Sequence, residues 1–152
     1  MTFMQKLFSF EGRLRRQDFW ICNLILWGVG VVAYIILMMI FGGSMVAALG
    51  PLQGADPNDP ATAAQAATAM AAMGPFYAAC GVLWLAMLWP ALAIDIKRLH
   101  DRDQTGWLVL IMLIPVVNFF FWLINLGILD GTPGPNRYGP SPKGLGEAAP
   151  AI

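Results

Sequence analysis

The only histidine of the chain, His100, stands next to Asp101 in the stretch DIKRLHDRDQTGW, Asp95 to Trp107. That stretch holds six of the eighteen Asp, Glu, Lys and Arg residues in a 152-residue chain. An adjacent His–Asp pair can share a metal ion, but zinc or di-iron sites need several imidazole, thiolate or carboxylate ligands, and there is no second histidine. An imidazole can also activate a hydroxyl or thiol within hydrogen-bond reach, which here would have to be Ser44, Cys22 or Cys80. The remaining chemistry is that of guanidinium groups. Arg98 and Arg102 can grip phosphate bidentately, with Asp101 and Asp103 to hold them in place. On a helix, Asp95 would face Arg98 and Lys97 would face Asp101.

These residues are positioned by strongly apolar segments. Hydrophobic residues make up 58% of the chain and charged residues 12%, against roughly 25% charged in soluble domains. Three runs carry no charge: Phe19 to Phe41, Pro75 to Ile94 and Trp107 to Leu129. Each has about the 20 residues a helix needs to cross some 30 Å of hydrocarbon. The fold class expected is therefore an all-α integral membrane protein, with two transmembrane helices over 19–41 and 75–94. Pro115, in the IPVVN stretch of the third run, removes a backbone donor, and Asn118 could bond the groups it frees. The segment 107–129 is then either a third, Pro-broken span or a re-entrant helical hairpin. The first run is too long for a signal-peptide core, and no small-residue cleavage site follows it promptly.

Lysine and arginine are unevenly placed. Residues 1–18 hold Lys6, Arg13, Arg15 and Arg16; residues 42–74 hold none; residues 95–106 hold Lys97, Arg98 and Arg102; residues 130–152 hold Arg137 and Lys143. The positive-inside rule puts the N-terminal segment and the 95–106 loop in the cytoplasm and the 42–74 loop outside. Ser44 and Cys80 then lie on the far side from His100, and Cys22 is buried in a run. Cys22 and Cys80 would be roughly 20 Å apart along the membrane normal, too far for a disulfide. Asp95 lies at a boundary rather than in mid-membrane, where proton-coupled carriers keep an ionisable group. In the 42–74 loop, Asp59 as N-cap and Pro60 at the first helical position start a short alanine-rich helix, interrupted at Gly74-Pro75. Met45, Met70 and Met73 serve packing better than copper. The tail 130–152 is rich in Pro and Gly, and its last residues, LGEAAPAI, read as disordered.

Two further motifs share the cytoplasmic side in this topology. FSFEGRLRRQDFW, Phe8 to Trp20, supplies Glu11, Arg13, Arg15, Arg16 and Asp18; GTPGPNRYGP, Gly131 to Pro140, supplies Asn136, Arg137 and Tyr138. Trp20 and Trp107 sit at span boundaries, as interfacial aromatics do. The blocks EGRLRRQDFW, KRLHDRDQTGW, the IP pair of the third run and GTPGPNRYGP occur in an order that resembles the bacterial inner-membrane family catalogued as domain of unknown function 805. The resemblance covers about nine tenths of the chain. That family usually has two arginines where Lys97-Arg98 stands, a serine at Thr105 and a glutamate at Asp18, and a shorter first connection. The resemblance implies a small multi-span inner-membrane protein and no particular activity.

The sequence thus gives no catalytic, cofactor or metal site, and a net charge of zero offers no basis for nucleic-acid binding. The candidate site is the cytoplasmic network of Glu11, Arg13, Arg15, Arg16, Asp18, Arg98, His100, Asp101, Arg102, Trp107, Asn136, Arg137 and Tyr138. It would either bind anionic lipid headgroups or a partner, or pin the connections internally. The function expected is non-enzymatic: an accessory, assembly or interaction subunit of a larger membrane complex, with a membrane-protein partner or a homo-oligomer. The small residues Gly28, Gly30, Gly81 and Ala86 suit helix packing. The alternative is an autonomous lipid- or solute-handling protein, a channel or carrier.

Overall fold

The computed structural model describes residues 1–144, so the LGEAAPAI end lies outside the described residues. The described chain is helical. Its long helices are α2, Arg16–Leu49, and α4, Gly74–Asp101. Short helices are α1, Phe3–Phe8, α3, Pro60–Ala72, and α5, Val117–Phe120. α2 and α4 are both long and apolar enough to cross a membrane, and their large exposed side chains, Leu24, Trp27, Ile40, Val82 and Trp84 among them, are those of lipid-facing helices. Both helices outrun the apolar stretches within them, because a helix continues wherever its backbone bonds are unbroken.

The chain divides into two units, residues 28–87 and the remainder. In the 28–87 unit, α3 starts where Asp59 accepts the Ala61 N–H at 2.9 Å, with Pro60 at the first position. Only Met73 separates α3 from α4. Phe76 is buried there against Tyr34 and Phe41, with ring centroids 6.4 and 6.1 Å away. Alanines of α2 and α3 line a recess of about 350 Å³.

The other unit holds the site. Its core is Leu14, Phe19, Cys22, Ile94, Leu99 and Leu126, with Trp20 and Trp122 packed on it. Trp122 lies 5.3 Å from Trp20 and 5.5 Å from Phe19 between ring centroids. α1 is closed by a capping box in which Thr2 and Gln5 bond each other's backbone N–H. The chain then runs beside α4, where Phe10 meets Trp89 edge-on at 5.0 Å and the Leu14 N–H reaches the Lys97 carbonyl at 3.1 Å.

The third apolar run doubles back. Residues Gly106–Leu113 form a 3₁₀ segment, Ile114 to Val116 turn, and α5 continues into a wider π-type coil over Phe121–Ile128. Pro115 sits at the reversal, and the Val117 N–H closes a three-residue turn on its carbonyl at 2.8 Å. Both ends of the hairpin meet at the end of α4: Thr132 N–H donates to the Asp101 carbonyl at 2.9 Å, and Asn125 donates to Gln104 at 2.9 Å. Asn118 does not use its side chain on the freed backbone as expected; its backbone N–H bonds Ile114.

Candidate functional site

The charged end is organised by Arg98, which is fully buried. Its Nε donates to the Leu126 carbonyl at 2.7 Å, and its Nη atoms reach the carbonyls of Leu129 and Leu14 and the Asp101 carboxylate. The last turns of a helix leave carbonyls without intrahelical partners, and the π-type coil widens that opening. A planar five-donor guanidinium suits several such acceptors at once.

Asp101 is 2% exposed and shared by two arginines. One oxygen pairs with Arg98 and the other with Arg13 at 3.1 Å. Arg13 is also buried, and it gathers the tail: Nη1 donates to the Gly134 carbonyl at 2.7 Å and Nη2 to the Thr132 carbonyl at 2.8 Å. The Arg13–Asp101–Arg98 triad therefore ties the N-terminal segment, the end of α4, the hairpin and the tail. Such a buried ion group is held by geometry rather than by charge alone, since each ion's desolvation has to be offset by bonds to it. Here neutral carbonyls offset the excess positive charge.

Two expected helix pairs are corrected by this arrangement. Arg98 pairs with Asp101, one turn onward, and not with Asp95. Lys97 does not face Asp101; it donates to the carbonyls of Gln5 and Lys6, both at 2.6 Å, and so closes the end of α1. Asp95 is left buried, with Oδ1 lacking a hydrogen-bond partner among the described residues.

Around the triad lies a second layer. Asn136 donates to the His100 carbonyl at 2.9 Å and to Thr132 Oγ1 at 3.0 Å, within a bridge to Gly139. Tyr138 stacks on the His100 ring at 3.8 Å with the planes 6° apart, and Arg137 lies over the Tyr138 ring at 5.2 Å while pairing with Asp103. Arg102 donates to the Asn125 carbonyl at 3.2 Å. Three glycines let the backbones approach: a Cβ at Gly131 would meet Asp101 Oδ2 at 2.0 Å, one at Gly127 would meet Trp20 at 2.8 Å, and one at Gly106 would meet Ile96 at 2.9 Å.

The expected site residues therefore divide. Arg13, Arg98 and Asp101 point inward, and His100, Arg102, Asn136 and Tyr138 are half-buried in the same structure. Arg15 and Lys6 share Asp18, and Arg16 and Lys143 share Asp130, with Arg15, Arg16 and Lys143 each over 40% exposed. Glu11 is exposed and holds no arginine among the described residues, and Trp107 is 77% exposed at the start of the hairpin. Sequence reasoning missed Leu14, Gln104, Gly127 and Gly131.

A family model described as "Protein of unknown function (DUF805)" matches residues 7–140. The Escherichia coli K12 "Uncharacterized protein YiiR" is 30% identical, over 91% of this chain and 89% of its own length. "Inner membrane protein YhaI" of the same strain is 28% identical over 94% of this chain and 93% of its own. "Inner membrane protein YhaH" is 46% identical over 36% of this chain and 44% of its own. No solved structure matches the chain.

Proposed function

We propose that this chain, which belongs to the family described as Protein of unknown function (DUF805), is a non-enzymatic inner-membrane interaction protein, an accessory or assembly subunit of a larger membrane complex. The observation that carries this reading is the use made of the arginines. Arg98 and Arg13 spend their donors on the chain's own carbonyls and on Asp101, which fixes a rigid charged end. The outward surface of the spans is apolar, and Gly28, Gly30 and Gly81 have open space beside them, so a neighbouring helix could approach closely there. The placement that fits the distribution of Lys and Arg has the charged end in the cytoplasm and the chain crossing the inner membrane more than once.

The test is native size. The protein is extracted at natural abundance in a mild detergent, resolved on a native gel, and its co-migrating proteins identified by mass spectrometry. Reproducible migration with a larger assembly supports the reading; migration without any partner or second copy sinks it.

A second reading is favoured by one recess. Arg15, Arg16, Gln17, Asp130 and Lys143 line a recess of about 240 Å³ whose cations are solvent-exposed. An anionic headgroup there would gain roughly 1 kcal/mol per basic residue. Binding to vesicles containing anionic lipid, lost in Arg15→Ala/Arg16→Ala/Lys143→Ala, would select lipid handling instead.

A further inference from the structure

We infer that Asn118, at the tip of the hairpin, is the centre of a self-association site that takes a second copy of this chain. This rests on the reading of the chain as an interaction protein and names one partner.

Three asparagines lie in the apolar segments. Asn23 donates to the Phe19 carbonyl at 2.9 Å, and Asn125 donates to Gln104 at 2.9 Å. Asn118 differs. It is exposed, and among the described residues its hydrogen bond is the backbone one to Ile114 rather than one from the amide. Its neighbours are apolar and exposed too: Leu113 by 78%, Val116 by 72%, Phe119 by 60% and Phe120 by 53%.

The depth of this tip makes the exposure a problem. Laid along the membrane normal, the Gly106–Leu113 segment, at about 2 Å per residue, reaches roughly 16 Å from the charged end. That is about half of the hydrocarbon thickness. Ile114 to Val116 are not helical, and Val116, a β-branched residue, has φ 69°. Irregular backbone at membrane depth persists only where protein or a water-filled cavity covers it. An unpaired amide in hydrocarbon carries the same demand.

A second copy meets that demand best. A primary amide is both donor and acceptor, so it is complementary to itself. Two copies inserted the same way and related by a twofold axis along the membrane normal hold Asn118 at one depth by construction. The pair then makes reciprocal N–H···O bonds, ringed by Val116, Phe119 and Phe120. A different protein would have to supply its own polar group at that depth.

The test uses the full chain, reconstituted alone in lipid vesicles over a range of densities, with association read by Förster transfer between N-terminal fluorophores. Association is expected, weakened about 3- to 30-fold by Asn118→Leu and retained by Asn118→Gln. Asn118→Cys is expected to add an oxidised dimer absent from the parent, which covers the case of a Leu variant that fails to fold. A parent that stays monomeric at all densities overturns the inference, as does a dimer that Asn118→Leu leaves intact with no cross-link at 118. If the monomer result is accompanied by a foreign protein on the native gel, the interaction reading survives; if the native gel shows neither, both fall.

Discussion

Gly131 and Asp101 lie so close that a methyl group on the glycine would stand 2.0 Å from the carboxylate oxygen which Arg98 holds. The Asp101 carbonyl would be 2.9 Å away as well, so no rotation of the side chain alone relieves the contact. Gly131→Ala therefore pushes the tail off the end of α4. Overpacking of this kind costs about 1–3 kcal/mol. Thermal unfolding of the purified variant in detergent should begin several degrees below the parent, whereas Gly54→Ala, at a position with open space and φ 77°, should act only locally.

Removing one member of the triad is expected to be severe. Arg98→Ala leaves Asp101 buried with one cation and frees the carbonyls of Leu126 and Leu129 at once; breaking such a buried group costs about 3–5 kcal/mol. Asp101→Ala leaves two buried guanidinium groups without their shared carboxylate. Since the two changes remove a shared interaction, the double variant should lose much less than the sum of the singles. The fraction of folded protein recovered from membranes in a mild detergent, compared across the cycle, measures this; simple additivity would mean that the pair is incidental.

Lys97 has a narrower task. Lys97→Met removes the donor that closes α1 on Gln5 and Lys6 while keeping the aliphatic stem. Two half-buried hydrogen bonds losing their charged donor is worth about 1–3 kcal/mol. Hydrogen exchange should quicken over residues 3–8 and stay unchanged over the interior of α4. Equal loosening of both would show that Lys97 supports the whole unit.

Asp95 is the reverse case, a buried carboxylate oxygen with no partner among the described residues. Burying such a group costs free energy that its side-chain hydrogen bond with Trp122 offsets only in part. Asp95→Asn and Asp95→Leu are expected to leave thermal stability equal or higher. A clear loss in both would show that the hydrogen bond with Trp122 outweighs the cost of burial.

The hairpin makes a prediction about sidedness. Because Thr132 bonds Asp101 and Arg137 bonds Asp103, cysteines placed at the exposed positions Asp103 and Lys143 should react with a membrane-impermeant maleimide from the same face. Labelling from opposite faces would mean that residues 107–129 cross completely.

Some of this was legible before any coordinates. A run of twenty uncharged residues has one stable environment, so the two spans could be read directly, and Asp59-Pro60 announced α3 because cap chemistry is local. The charged residues were visible as a group, but not the direction they face. A guanidinium that grips carbonyls inside a protein and one that waits for phosphate have the same sequence, and the Arg13 contact to Gly134 spans 121 residues. The i,i+3 rule favoured Asp95 and Asp101 equally for Arg98; tertiary placement of the hairpin carbonyls chose Asp101. The Thr2–Gln5 capping box was a local signal that went unread. The behaviour of Asn118 had none, since an asparagine near a proline usually serves its own turn.

The separation in sequence between Arg13 and its acceptors sets an order of assembly. Arg13 is made well before its acceptors at Thr132, Gly134 and Gly139, which follow it by 119 to 126 residues. Until then Arg13 must stay hydrated at the membrane surface, and Arg98, whose acceptors include Leu126 and Leu129, must wait as well. The charged end is thus a latch that closes in stages, so a chain cut before residue 131 keeps the partners of Arg98 but leaves the Arg13 donors to Thr132, Gly134 and Gly139 open.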